Sequence, residues 1–213
     1  MKLIEKIKKI LGNDIKKNGS GFYSSIETIK KGKYLILGLN PGGDPVNFNK
    51  TIEQTISDWL KIPDYNAYYE DWGEKEKPAR LQKNLQSIFE YLNTDLRSVC
   101  ATNLFWERTK KESDLTFTSF PKYKKLIELI LSEIDPQIII TFGNKPFSTI
   151  STLKGIEPII SSIQSGHGNW KIQLAQLNYS NKKIKIIGFP HLSRYTIYNR
   201  DVQLKMVKEF ILK

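Results

Sequence analysis

The chain has 213 residues, 39% hydrophobic and 26% charged, and carries 33 Lys and Arg against 22 Asp and Glu, a net charge of +11. That size and balance suit a single domain over 1–213 and exclude a wholly disordered or collagen-like chain. One cysteine, Cys100, and two histidines exclude an internal disulfide, a four-cysteine cluster and a multi-histidine metal site, so neither metal nor cofactor is expected.

No stretch reaches the ~20 apolar residues of a membrane span. The N-terminus MKLIEKIKKILGNDIKK alternates charge with apolar residues and has no signal-peptide core, which predicts a cytoplasmic protein without a membrane partner. The basic surplus favours polyanions. Lysine-rich usage without long basic runs makes that a modest pointer to nucleic acid.

Leu3, Ile4, Ile7, Ile10 and Leu11 recur at helical spacing, and Gly12 supplies a stop. Tyr34–Leu39 is a short apolar run of buried-strand type. Thr51–Leu60 and Arg80–Leu92 read as helices, the second with Leu81, Leu85, Ile88, Phe89 and Leu92 on one face. The intervening 61–78, with Pro63, Gly73 and Pro78, reads as an inserted loop. Ser98–Leu104 is a second strand. Tyr123–Ile134 is a helix stopped by Asp135-Pro136. Gln137–Phe142 is a third strand, followed by a helix from about Lys145. Trp170–Tyr179 alternates as an edge strand, Lys182–Phe189 is a further strand, and Asn199–Leu212 is the closing helix. Strands separated by helices predict an α/β fold with a mostly parallel sheet covered on both faces. Ligands of such sheets sit beyond the carboxyl ends of the strands.

Three segments fall at those ends. Gly38-Leu39-Asn40-Pro41-Gly42-Gly43 combines a side-chain amide with glycines that allow close backbone approach; it is neither a P-loop nor a dinucleotide fingerprint. Ala101-Thr102-Asn103 ends the second strand in an amide whose donor and acceptor suit the edge of a base. Pro190-His191-Leu192-Ser193-Arg194 places a histidine in a polar loop beside a hydroxyl and a guanidinium that suit a phosphate. His167, in Gln164-Ser165-Gly166-His167-Gly168, reads as a plain loop residue. Cys100 reads as a buried inert thiol. No G-x-S-x-G elbow is present for an esterase triad.

In this order the three segments resemble the uracil-DNA glycosylase superfamily, in its branches with Asn-Pro-Gly in the first motif. The likeness covers the motifs, with an α/β framework around them. It implies a three-layer α/β/α fold on a central, mostly parallel four-stranded sheet, and excision of a flipped-out base by a monomer acting on DNA. It also implies roles. Asn40 holds the attacking water and His191, kept neutral, donates to the charge developing on the base. Leu39, Pro41, Gly42 and Asn103 line the base, and Phe48 stacks on it. Gly43, Ser193 and Arg194 contact DNA, and Leu192 wedges into the vacated space. Asn40 is an amide where many branches use a carboxylate, and Leu192 replaces a proline. No Lys or Pro stands in these motifs for a Schiff base, so strand cleavage is not expected. The rivals are a catalytically inactive relative on the same fold that binds nucleic acid, a modified base or nucleotide, or a partner protein, and a small-molecule hydrolase.

Overall fold

Apolar runs buried on both faces make the central strands, and amphipathic segments make the covering helices. The computed structural model describes residues 2–72, 77–115, 120–153, 159–179 and 182–213. In chain order these form α1 (Lys2–Leu11), β1 (Tyr34–Gly38), α2 (Ile52–Trp59), α3 (Arg80–Tyr91), β2 (Cys100–Asn103) and α4 (Phe120–Ile134). Then come β3 (Ile138–Phe142), α5 (Asn144–Ser151), β4 (Ile159–Gln164), β5 (Lys171–Tyr179), β6 (Lys182–Phe189) and α6 (Asp201–Leu212).

The sheet is mixed and six-stranded, in the order β2-β1-β3-β6-β5-β4. Strands β2, β1, β3 and β6 run parallel; β5 is antiparallel to β6, and β4 to β5. The expected four-strand sheet is therefore too small. β5 lies inside the sheet, and β4, which the sequence reading omits, forms its edge. The cause is legible in IISSIQ: two consecutive serines break the apolar alternation, and the strand is held by backbone pairing from Ile159↔Gln176 to Gln164↔Lys171.

Successive residues of a strand point to opposite faces. Leu35 and Leu37 join α1, α2, α4 and α5 in one core. Tyr34 and Ile36 join α3 and α6 in the other. The sheet is thus the middle of three layers.

The outer edge of β2 is occupied. Tyr23 N–H donates to Ala101 O (2.9 Å), Ala101 N–H donates to Ser24 Oγ (2.9 Å), and Ser20 N–H donates to Trp106 O (2.9 Å). This places Tyr23 beside the end of β2. Part of the expected 61–78 loop folds down on it: Ala67 N–H donates to Tyr23 O (2.8 Å), and Gln82 Nε2 donates to the carbonyls of Ala67 (2.9 Å) and Glu70 (2.8 Å). Residues 73–76 of that loop lie outside the described residues. At the far side, the antiparallel course of β5 returns the β4–β5 turn to the rim where the four parallel strands end.

Candidate active site at the strand ends

Gly38, the last residue of β1, is the floor of the site. A Cβ there would collide with Asn103 Oδ1 and come within 3.0 Å of Phe142 Cζ. The Asn103 amide and the Phe142 ring therefore meet over a residue that must have no side chain. Asn103 is buried, and the Tyr23 hydroxyl hydrogen-bonds it. Burial raises the pKa of Tyr23, opposed by the nearby Arg108 charge and by that bond, so the phenol stays protonated at neutral pH. Tyr68 stacks behind Tyr23 with centroids 6.2 Å apart.

Asn40 follows two residues after Gly38. Its Nδ2 donates to Thr109 Oγ1 (2.9 Å) and Pro41 O (3.1 Å), with a longer contact to Glu107 O (3.5 Å). Carbonyl oxygens only accept, so the amide nitrogen must face them. Thr109 gives its own proton to Lys111 O (2.9 Å), which leaves its oxygen to accept from Asn40. The orientation of the amide is thereby fixed, with Oδ1 turned away from this acceptor cluster.

The loop after Asn40 is braced from outside. Arg108 donates to Gly42 O, and its guanidinium lies 4.3 Å from the Phe48 ring centre. Asp44 pairs with Lys110 (3.0 Å) and accepts from Val46 N–H (3.1 Å), and these bonds hold its pKa below the usual carboxylate range. Leu39 packs half-buried on the first core, Pro41 is buried, and Gly42 and Gly43 are exposed.

His191 stands at the end of β6. Its Nδ1 lies 3.3 Å from Ser193 N and 2.8 Å from Ser193 Oγ. A backbone N–H can only donate, so Nδ1 accepts, and the neutral ring carries its proton on Nε2. Desolvation lowers its pKa first and the Arg194 charge second, while Glu112 pulls the other way. Although part of the residue is open to solvent, its ring meets the Phe142 ring edge-on at 6.0 Å, and Gly143, at φ +94°, leaves room beside it. Contacts thus run from Tyr23 through Asn103 and Phe142 to His191, across four neighbouring strands' worth of rim.

Phe48 and Leu192 stand apart from these strand-end contacts, and the wedge expected of Leu192 is corrected. Phe48 is 46% exposed, folds back over Gly43 and gives a ring face to Arg108. The aromatic that meets Asn103 and His191 is Phe142. Leu192 is fully buried in the second core. Asn84 of α3 holds it there: Nδ2 donates to Leu192 O (2.7 Å) and Tyr195 O (2.7 Å), and Oδ1 accepts from Ile197 N–H (2.9 Å). A side chain so placed cannot wedge into DNA. Ser193 and Arg194 are exposed. Tyr23, Arg108, Thr109, Phe142 and Asn84 escaped the sequence reading. Only Phe142, which ends an apolar strand beside Gly143, carried a positional signal.

Among the described residues no group of three His, Cys, Asp or Glu gathers as a metal site, and no helix is long and apolar enough to cross a membrane. Cys100 is buried, and burial pushes its thiol up to about 12. Two crevices lie elsewhere. One, of about 70 Å³, sits among Thr28, Lys31, Tyr34 and Ser98 at the amino ends of the strands; the other, of about 300 Å³, lies between α4 and α5. Neither includes Asn40, Asn103 or His191. No protein-family model matches the chain, and no curated protein matches it.

Proposed function

We propose that this chain is a monofunctional DNA glycosylase that hydrolyses the N-glycosidic bond of uracil or a related deaminated base. The observation that carries the reading is the joining of four strand ends: Asn103 and Phe142 meet over Gly38, and Phe142 meets a His191 whose neutral tautomer presents Nε2–H. A buried amide suits the edge of a flipped pyrimidine, and a ring beside it suits its face. The four-strand parallel portion with two added strands fits a glycosylase-like α/β/α core carrying an extension.

In this mechanism Asn40 Oδ1 accepts a hydrogen bond from water and aims it at the sugar carbon. An amide cannot take the proton, so Asn40 positions the water and is no general base. As the carbon–nitrogen bond breaks, its electron pair leaves with the base, and His191 Nε2–H stabilises that charge. Water's oxygen bonds to the sugar and its proton passes to solvent. The products are the free base and an abasic site.

The test is base release from end-labelled oligonucleotides carrying one uracil, single-stranded or opposite G or A, followed by alkali. Cleaved product that disappears with Asn40→Ala and with His191→Ala supports the reading. No product at stoichiometric protein, with uracil and then with other deaminated bases, overturns it. Phe142 between Asn103 and His191 also fits a second reading, a protein that binds a modified base without cleaving it. Tight binding with no release would favour that one.

A further inference from the structure

The turn between β4 and β5 reaches the same rim as the site, two strands beyond His191. It is tightly built. Ser165 N–H donates to Trp170 O (3.0 Å), Trp170 N–H donates to His167 O (3.1 Å), and Ser165 Oγ accepts from His167 N–H (3.2 Å). It is also fastened to the His191 loop. The Tyr195 hydroxyl donates to Ser165 O (2.7 Å), the Tyr195 and Trp170 rings lie 6.5 Å apart, and Tyr195 N–H donates to His191 O (3.0 Å). At its tip the imidazole of His167 and the indole of Trp170 form a pair 4.7 Å apart, and Trp170 is 39% exposed. Trp170 packs one side against the buried Tyr195 and leaves the rest of its indole open to solvent at the rim.

The surroundings are basic. Arg200 and Gln203 cradle Gly166, where a Cβ would lie 2.8 Å from Arg200 Nη1. Arg200 Nε is buried with no hydrogen-bond partner among the described residues. Lys171, which follows Trp170, and Arg194, which precedes Tyr195, are exposed, as is the acidic Asp201 that follows Arg200. Aromatic rings that stack on bases, set among cations that track phosphates, are how proteins hold single-stranded nucleic acid. A base drawn out of its stack leaves its neighbour's face unpaired. Leu192, being buried, cannot cover that face.

We propose that the 165–170 turn is a second DNA-contacting element, in which the Trp170 ring, with His167 tilted 56° against it, stacks on a nucleobase next to the one taken by the strand-end site. The inference rests on the DNA-binding part of the proposed function and not on excision. The test is fluorescence-anisotropy titration of labelled single-stranded and abasic duplex DNA with the full chain, Trp170→Ala, Trp170→Phe, and Lys31→Ala at the opposite end of the strands. Stacking on one base predicts roughly tenfold weaker binding for Trp170→Ala. Trp170→Phe, which keeps a ring, should recover most of the loss, and Lys31→Ala should bind as the parent does. Circular dichroism separates an unfolded variant from a weakened one. Equal affinity of the parent and Trp170→Ala, or equal loss with Trp170→Phe, overturns the inference. So does a parent chain that binds neither DNA. A parent that binds through Trp170 yet releases no base leaves the turn standing and removes the glycosylase.

Discussion

Two asparagines hold the two loops of the site, and they hold them differently. Asn84 reaches from α3 under the 191–197 loop, and both ends of its amide are used, with two bonds from Nδ2 and one to Oδ1. Asn40 sits within its own loop and uses only Nδ2. A buried amide bonded at both of its ends is a staple. An amide pinned by its nitrogen alone presents an oriented acceptor, the property that positioning water requires. On the proposed function the same residue type is structural in one loop and chemical in the other, and the distinction lies in which end of the amide is left over.

The sharpest way to break this contrast is Asn84→Ala. Three buried bonds are lost at about 1 kcal/mol each, so the fold should weaken by about 3 kcal/mol. Chemical denaturation would measure it. Asn40→Ala, in a half-buried loop, should cost well under half of that while abolishing base release. Equal stability losses for the two variants would erase the distinction.

Next in size is Gly38→Ala. The new methyl would meet Asn103 Oδ1 and Phe142. Overpacking of this kind costs about 1–3 kcal/mol. Because the side chains displaced are those that would hold a base, release should fall by more than the stability loss explains. Single-turnover rates measured well below the melting transition would show it. Wild-type rates in a folded Gly38→Ala variant would remove Asn103 and Phe142 from the site.

Much of this was readable in advance. The four parallel strands, the helices between them and the three strand-end segments follow from apolar runs, helical spacing and turn residues. Asn40, Asn103 and His191 stand out as candidates because Asn103 ends β2 and the other two each follow a strand end by two residues. Long-range pairing was not readable. Nothing near Asn84 in sequence says that it binds a loop more than a hundred residues away. Nothing in Thr109 says that it fixes the amide of Asn40. Leu192 looked available as a wedge because a lone leucine in a polar loop gives no hint of the staple beneath it. β4 was missed because its serines hide a strand defined by its partner. In sequence Trp170 reads as a strand start and His167 as a plain loop residue, since only the sheet order brings their turn to the rim.

The smallest effect concerns the open loop, and it is the one that tests His191 as a neutral donor. Its pKa lies below the ordinary 6.5 in the folded chain, through desolvation and the Arg194 charge. A histidine held neutral by the fold contributes stability that is present above its unfolded value and lost as pH falls through the folded one. Protonation also puts a hydrogen on Nδ1, facing Ser193 N–H, and breaks the contact that orients the ring. Base release should thus be level above pH 6.5 and fall on the acid side of it. Arg194→Ala removes one of the two lowering causes, so the acid limb should move to higher pH while the plateau at saturating DNA holds. Glu112→Gln removes the opposing charge and should move the limb the other way. Opposite shifts from two exposed residues of opposite charge cannot come from a general loss of structure. They would assign the limb to His191, and a limb that neither variant moves would assign it elsewhere.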